Sequence, residues 1–236
     1  MHRVRVFRAI DDLGSCQKFA EGHLNVLLDY GITKVTTTKS DWFFNPDVYV
    51  VLIESEDGSK TYGGERIHIC NDSAKLPAED AVSIVDTGIY DLVGRYRANG
   101  LTGELCGLWN SKEIAGKGYS VLLTKIGVAL AKMLGIDSLF VLCAPYTVSM
   151  CQNVGFEIEE SIGNQGTFYY PKLDLIATLL IVKDIVNLPG ADETFRQRIL
   201  DLTGEPVQVA SETGPQGDFQ IQYDLRVKKH MSTNEL

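Results

Sequence analysis

The stretch GELCGLWNSKEIAGKGYS, residues 103–120, carries most of the information about the fold of this 236-residue chain. Residues 103–110 form a mainly apolar run that predicts a strand, and residues 111–118 form a loop with two glycines. From Tyr119 to Gly135, apolar residues recur at the spacing of a helix. The stretch therefore predicts a strand, a glycine-containing loop and a helix in direct succession.

The loop before this helix is a natural site for an anion. The first N–H groups of a helix have no partner within the helix, and the helix dipole adds partial positive charge there. Gly116 and Gly118 let the main chain approach a bulky anion closely, and Lys117 adds a formal charge. A phosphate or pyrophosphate is the expected guest, and an ordinary tight turn is the alternative. The spacing fits neither the Walker loop nor the dinucleotide fingerprint.

The elements on both sides predict a chain that mixes strands and helices, of the α/β (α+β) class. Upstream, the patterns predict a strand at 3–6, a helix ending at Gly31, a two-stranded hairpin over 47–70 and one or two helices within 76–100. Downstream, they predict a strand at 138–144, a short helix ending at Gly155, strands at 156–161 and 173–184, a helix at 193–202, a loop at 211–217, a strand at 219–227 and a frayed tail at 231–236.

Charge and apolar content exclude two classes of protein. The chain has 31 acidic against 22 basic residues, a net charge of -9. Proteins that grip nucleic acid usually carry a basic excess, so no nucleic-acid partner is expected. The longest apolar run, 175–182, is far shorter than the roughly 20 residues that cross a bilayer, so no membrane insertion is expected. The N-terminus does not resemble a secretory signal, which favours a cytoplasmic location.

The five cysteines are widely spaced and form no CxxC motif or Cys/His cluster; they are Cys16, Cys70, Cys106, Cys143 and Cys151. An odd number without metal-ligand spacing indicates neither a disulfide framework nor a zinc site. Reduced, buried thiols in a cytoplasmic protein are expected instead, with no bound metal.

The loop and the elements around it resemble the GNAT superfamily of acyl-CoA N-acyltransferases. The signature loop of that family reads Gln/Arg-x-x-Gly-x-Gly/Ala, and Glu113-x-x-Gly116-x-Gly118 matches it except at the first position. The later Gly155-Phe156, which follows a short helix and precedes a strand, matches the Gly-Phe that commonly closes the fourth helix of the family.

This resemblance implies a fold and a co-substrate. The fold would be a mixed, mostly antiparallel central sheet flanked by helices, with a GNAT-like core at 1–183 and a C-terminal helix–strand extension at 184–236 that packs on it. The co-substrate would be acyl-CoA, carrying an acetyl group or a longer chain. Its pantetheine arm would lie in a gap beside the strand that precedes the loop. Backbone groups of Leu108, Trp109 and Asn110 would meet the pantetheine amides. The pyrophosphate would be held by Ala115, Gly116, Lys117, Gly118 and Tyr119.

Acyl transfer to an amine needs a base for the ammonium proton and an acid for the departing thiolate. Glu104 heads the strand before the loop, where many family members place a glutamate base, and an exposed strand-end glutamate is the alternative. Cys151 stands where the family usually has a tyrosine acid, and Tyr146 on the same short helix is the substitute. A nucleophilic Cys106 or Cys151 with His68 as base is a further alternative. His23 is expected to pack on its own helix.

A second resemblance concerns the acceptor. Trp42, Asp47, Gly64-x-Arg66 and Glu104 fall in the order seen in acyl-homoserine-lactone synthases and N-acyl amino acid synthases. Their Glu-x-Ser-Arg is replaced by Glu104-Leu-Cys106-Gly107. The resemblance implies an amino-acid-like acceptor, with Arg66 and Trp42 as substrate-binding residues and a longer acyl donor.

Three functions follow from these observations. The first is N-acyl transfer from acyl-CoA to a small-molecule primary amine by direct attack. The second is a long-chain N-acyl amino acid or lactone-type synthase, fed by acyl-CoA or by an acyl carrier protein. The third is a non-catalytic acyl-CoA sensor. The oligomeric state, monomer or homodimer, is left open.

Overall fold

The computed structural model describes residues 1–29, 31, 40–71, 74–170 and 175–227. Their strands are β1 His2–Arg8, β2 Val48–Ser55, β3 Thr61–Ile69, β4 Thr102–Asn110, β5 Ser138–Cys143, β6 Glu157–Ile158, β7 Thr167–Tyr169, β8 Ile176–Val182, β9 Val207–Gly214 and β10 Gly217–Asp224. Their α-helices are α1 Leu13–Asp29, α2 Pro77–Val82, α3 Gly88–Arg97, α4 Tyr119–Met133, α5 Val148–Asn153 and α6 Glu193–Gly204. In these ranges no helix is long and apolar enough to cross a membrane.

All of these strands join into one mixed sheet. The order across it is β6-β8-β5-β4-β3-β2-β1-β10-β9, and β7 also pairs with β8. The β1–β10 and β4–β5 pairs are parallel, and the other pairs are antiparallel. The expected mixed, mostly antiparallel sheet is therefore confirmed, and the parallel β4–β5 pair lies inside it, away from both edges.

Helices cover both faces of the sheet, and β4 shows how they are divided. Leu105 packs under α4, so close that a Cβ on Gly127 would lie 2.7 Å from it. Glu104 faces the other way and accepts a hydrogen bond from the first turn of α2. The core on the α4 side includes residues of α5 and α6. The opposite face is covered by α1, α2 and α3.

Most predicted elements are present, and the exceptions lie in the second half of the chain. The segment 211–217, expected to be a loop, is a strand as far as Gly214, because β9 pairs along its whole length with β10. β9 is the outermost strand, so its sequence needs no continuous apolar face. The apolar pattern used to predict strands is therefore missing from this segment. The strand expected at 156–161 has only two residues in β6, and β7 was not predicted. The parts of the predictions that fall on 173–174 and 231–236 lie outside the described residues.

The segment 184–227 continues the sheet of the preceding residues. α6 packs with α4 in one core, and β10 pairs in parallel with β1. Alternate residues of β10, including Ile221 and Tyr223, are buried on the α6 side. The C-terminal segment therefore adds a helix and two strands to the edge formed by β1.

Two glycines in helices provide a matched test of this packing. A Cβ on Gly22 of α1 would lie 2.1 Å from the Trp109 ring, whereas a Cβ on Gly94 of α3 would meet nothing within 4 Å. We expect Gly22→Ala to lower the free energy of unfolding by about 1–3 kcal/mol through overpacking. Gly94→Ala should raise it by about 0.5–1 kcal/mol, because alanine is the better helix former.

Urea unfolding followed by circular dichroism measures both changes. Equal effects of the two substitutions would contradict the close contact between α1 and Trp109.

Candidate functional site

A gap opens between β4 and β5 where their pairing stops. Parallel pairing joins 102–105 to 138–141, and β4 then continues to its end without this partner. On its other side β4 stays paired with β3, but the register shifts between Gly64 and Arg66. Three steps along β4 there match two along β3, and Gly107 has φ +62°. A bulge of this kind bends a strand and increases its twist, so it accounts for the separation of β4 from β5.

The bulge also reverses the alternation of side chains along β4. Leu105 packs in the core under α4, and in a regular strand Trp109 would face the same way. Instead Trp109 lies in the core under α1, with Phe19 and Trp42. Leu108 packs on the α4 side. Because of the one extra residue, odd-numbered side chains of β4 face α4 before the bulge and α1 after it.

A cavity of about 200 Å³ occupies the gap. Its walls come from β4, β5, α4, α5, the segment 144–147 that precedes α5, and one residue of α1. They include the predicted site residues Leu108, Tyr146 and Cys151. They also include Cys106, which was considered as a nucleophile, and two residues to which the sequence assigned no role, His23 and Cys143. The other predicted residues lie around the cavity rather than in its walls.

The loop before α4 has the predicted form. Gly116 and Gly118 both have positive φ, +73° and +93°, and Gly118 directly precedes the helix. Ala115, Gly116 and Lys117 are exposed. Glu113, the departure from the family signature, forms an ion pair with Lys60 at 2.7 Å. This pairing offsets the negative charge at the edge of the loop.

The hairpin that joins β9 to β10 lies against the same loop. A Cβ on Gly214 would stand 2.1 Å from the carbonyl oxygen of Lys117, and the Gln216 side chain reaches the position of a Cβ on Gly116 at 3.3 Å. The C-terminal segment therefore supports one side of the loop, a contact that no sequence pattern indicated.

The side chains of three predicted cofactor-binding residues serve the framework. The Trp109 ring meets Phe19 edge-on at 5.9 Å. The Asn110 amide caps α4, because its oxygen can accept the N–H of Ser120 at 3.1 Å. The Tyr119 hydroxyl meets His2 Nδ1 at 2.5 Å, and its ring stacks on Phe219. At these positions the backbone is the part that a ligand would contact.

A row of buried polar groups lies on the α1 side of the sheet. Arg66 is fully buried, and its guanidinium stacks over Trp42 at 4.2 Å and faces Phe19 at 5.4 Å. It reaches under the bulge, where a Cβ on Gly107 would lie 3.2 Å from Arg66 Nε. His68, opposite Glu104, is buried, and burial holds its pKa well below the usual range. The structure thus brings Arg66 and Trp42 together beside the cavity.

Glu104 is buried behind the cavity wall. Its carboxylate accepts the N–H of Ala78 at 2.7 Å, and its neighbours Leu105 and Cys106 line the cavity. Burial raises the pKa of Glu104 to about 8, although the Ala78 N–H and Arg66 act in the opposite direction. The residue therefore has a carboxyl group that changes charge close to neutral pH. The exposed strand-end alternative is wrong, because the strand enters the core at its first residue.

Two residues that the sequence left without a catalytic role are His23 and Glu65. His23 is 7% exposed and faces the cavity, and burial, with Arg66, lowers its pKa to about 4. Its position on the apolar stripe of α1 was the signal that it faces inward. Glu65 is fully buried beside Gly127 on the α4 side, and burial raises its pKa well above the usual range. No pattern marked Glu65, because its burial follows from helix packing over β3.

The described ranges hold no group of three or more His, Cys, Asp and Glu side chains arranged to bind a metal. All five cysteines are free. The site is therefore built from carboxyl, imidazole, thiol and guanidinium groups around a gap whose walls mix apolar and polar side chains.

Comparison with known proteins identifies the fold through solved structures rather than through sequence. No protein-family model matches the sequence, and no curated protein matches it. Among solved structures, FeeM, an N-acyl amino acid synthase from uncultured soil microbes, is similar at TM-score 0.62 and 12% identity, covering 84% of this chain and 98% of its own. MesI, a CoA-dependent acyl-homoserine lactone synthase, is similar at TM-score 0.52 and 14% identity, covering 86% and 95%. An acyl-CoA N-acyltransferase from Pseudomonas aeruginosa is similar at TM-score 0.53 and 10% identity, covering 77% and 99%.

The chain has the GNAT fold. The likeness to the two synthases extends over 84% and 86% of the chain, and the likeness to the P. aeruginosa enzyme extends over 77%. At these identities the likeness concerns the fold, and the chemistry has to be argued from the residues.

The neutral imidazole in the cavity gives a prediction about stability. The pKa of His23 is about 4 when folded against 6.5 in an unperturbed histidine, so between these values only the unfolded chain binds the proton. His23 therefore makes the folded state lose stability as pH falls below 6.5. We expect His23→Gln to reduce the dependence of unfolding free energy on pH, between pH 6 and 5, by about 1.4 kcal/mol per pH unit relative to the parent.

Urea unfolding at a series of pH values measures this difference. Subtracting the two profiles removes the other titrating groups, including the buried carboxyls Glu65 and Glu104, whose raised pKa values act in the opposite direction. Parallel profiles would show that His23 is accessible to protons when the chain is folded.

Proposed function

We propose that this protein is an acyl-CoA-dependent N-acyltransferase that moves an acyl group to a small-molecule primary amine by direct attack. The observation that carries the proposal is the gap between β4 and β5, which opens beside a loop at the start of α4. An extended thioester arm fits a gap bordered by strand backbone that lacks a pairing partner. Its phosphates would meet the N–H groups of the first helical turn.

The residues around the gap fit acyl-CoA as co-substrate. Backbone groups of Leu108, Trp109 and Asn110 would bind the pantetheine amides, since the side chains of the last two are engaged elsewhere. The loop Ala115 to Tyr119 would hold the pyrophosphate. The negative charge of Glu113 would repel the phosphates, and the ion pair with Lys60 offsets this charge. Five free cysteines agree with a cytoplasmic setting for this reaction.

The chemistry needs one group that removes a proton and one that returns it. We assign the first role to Glu104, whose pKa of about 8 suits a base that works near neutral pH. Because its carboxyl lies behind the wall of the cavity, a bridging water would relay the proton. Tyr146, at the exposed mouth, and Cys151, in the wall, are the candidate acids for the leaving thiolate.

Arg66 supports the narrower function of a long-chain N-acyl amino acid or lactone-type synthase. The Arg66 guanidinium, held against the Trp42 and Phe19 rings beneath the bulge, would supply the planar fork that suits an acceptor carboxylate. The likeness to FeeM and MesI points the same way. In this version the donor is a long-chain acyl-CoA or an acyl carrier protein.

Ligand-dependent stabilisation tests the co-substrate and separates these functions. CoA, acetyl-CoA and octanoyl-CoA are compared by thermal unfolding of the full chain. A ligand at one hundred times its dissociation constant adds about 2.7 kcal/mol to the unfolding free energy, which gives a measurable shift. We expect all three to stabilise the protein.

The ranking by chain length then distinguishes the enzymes. A stronger effect of octanoyl-CoA favours the long-chain synthase, and equal effects of the two acyl donors favour the acetyltransferase. Stabilisation without turnover of any primary amine would favour the sensor. No stabilisation by any of the three would remove the proposed co-substrate.

The role of Glu104 predicts a specific pH profile. A base must be unprotonated, so kcat/KM should rise with pH to a plateau above about 8, the pKa of Glu104. Glu104→Gln should lower kcat/KM by about 10²-fold or more and remove this limb, with unchanged stabilisation by acyl-CoA. Glu79→Gln is the matched control, because Glu79 is another buried carboxyl and accepts hydrogen bonds from the Leu76 N–H and the Cys70 thiol. It should keep the limb but move it to lower pH, because the charge of Glu79 helps to raise the pKa of Glu104.

Release of CoA in the presence of amino acids as acceptors measures these rates. A limb that persists in Glu104→Gln would assign the proton transfer to another residue.

A further inference from the structure

Three of the five cysteines surround the gap, and the proposed transfer gives only one of them a role. Cys106, Cys143 and Cys151 line the cavity from β4, β5 and α5, and all three are free thiols. Cys16 and Cys70 lie in other clusters, where each thiol donates to a backbone oxygen. Three thiols therefore surround the place proposed for the reactive thioester of the donor.

The three thiols differ in exposure and in acidity. Cys106 is buried, and burial raises its pKa to about 12. Cys151 is buried too, and the neighbouring Cys143, together with burial, raises its pKa. Cys143 is half-buried, and the neighbouring Cys151 lowers its pKa. Cys143 is therefore the most exposed of the three thiols that line the gap.

The position of Cys143 follows from the strand that carries it. Cys143 ends β5, two residues beyond Val141, the last residue that pairs with β4. Its side chain therefore lies where the strands have separated. The Thr147 hydroxyl, which also lines the gap, donates to the Ala144 carbonyl at 2.8 Å.

An independent observation concerns the same cavity. His23 faces it with a side chain that is 7% exposed, and its ring has no hydrogen bond within the part of the chain that the structure describes. A molecule bound in the gap would pair with this ring without displacing a protein partner.

We propose that Cys143 is a site of self-acylation by the donor thioester. The Cys143 thiolate attacks the thioester carbonyl carbon, a C–S bond to Cys143 forms, and the C–S bond to the CoA sulfur breaks. CoA leaves as a thiolate and takes up the proton that Cys143 gave away. One thioester replaces another, so the step needs no oxidant and no further reactant. The inference rests on the proposed function, because acyl-CoA has to occupy the gap.

Intact mass measurement of the full chain tests this step. The protein is incubated with octanoyl-CoA, or with CoA as the blank, quenched in acid and digested for mapping. We expect one octanoyl group on Cys143 that hydroxylamine removes. Cys143→Ser should abolish the adduct, whereas Cys106→Ser, which changes another thiol in the same cavity, should retain it.

The neighbour of Cys143 gives a second, graded readout. Cys151→Ala removes the thiol that lowers the pKa of Cys143, so acylation should slow by about tenfold. Cys151→Ser keeps a hydroxyl group at this position and should retain most of the rate. Locating the octanoyl group in the protein without substitutions needs no variant, so this result does not depend on whether a variant folds.

Thermal stabilisation by octanoyl-CoA, measured on the same samples, separates the two proposals. Stabilisation without an adduct, or with the adduct on any residue except Cys143, overturns the self-acylation and leaves the proposed function standing. A lack of stabilisation overturns the proposed function and the self-acylation with it.

Discussion

The extra residue in β4 is the constraint on which the rest of the site depends. With φ +62°, Gly107 takes a conformation that other residues rarely adopt, and the register with β3 shifts beside it. The strand bends away from β5, and the side chains beyond the bulge change faces. Trp109 is thereby turned toward α1, where Gly22 leaves room for its ring. A single irregularity therefore opens the cavity and determines which helix closes it.

The polar groups around the bulge stand in a core that disfavours charge. Arg66 and Glu104 are almost completely buried, and removing an ion from water costs several kcal/mol unless it is paired. The structure lowers this cost in two ways. The guanidinium stacks on aromatic rings, and the pKa of the carboxyl rises until it is largely neutral near pH 7. A core that keeps such groups is typical of a functional site rather than of packing alone.

The candidate site was predictable where its chemistry was local. The loop at 111–118, its glycines and the position of Glu104 at the head of a strand follow from neighbours in sequence. The residues that complete the cavity do not. His23 comes from α1 and Cys143 from β5, and only the packing of both against β4 brings them together. The compensation of Glu113 by Lys60 joins residues that are 53 positions apart, so no local pattern could show it.

The sequence by itself determined the order of strands and helices through the first two-thirds of the chain, because periodicity and turn residues act over a few positions. It also determined the loop at the start of α4. Tertiary structure decided the edge strand β9, the change of parity along β4 and the burial of Glu65, Arg66 and Glu104. These features depend on which element lies across from each residue. Burial, and with it the acidity of a carboxyl or a thiol, is a property of the surroundings that distant segments create.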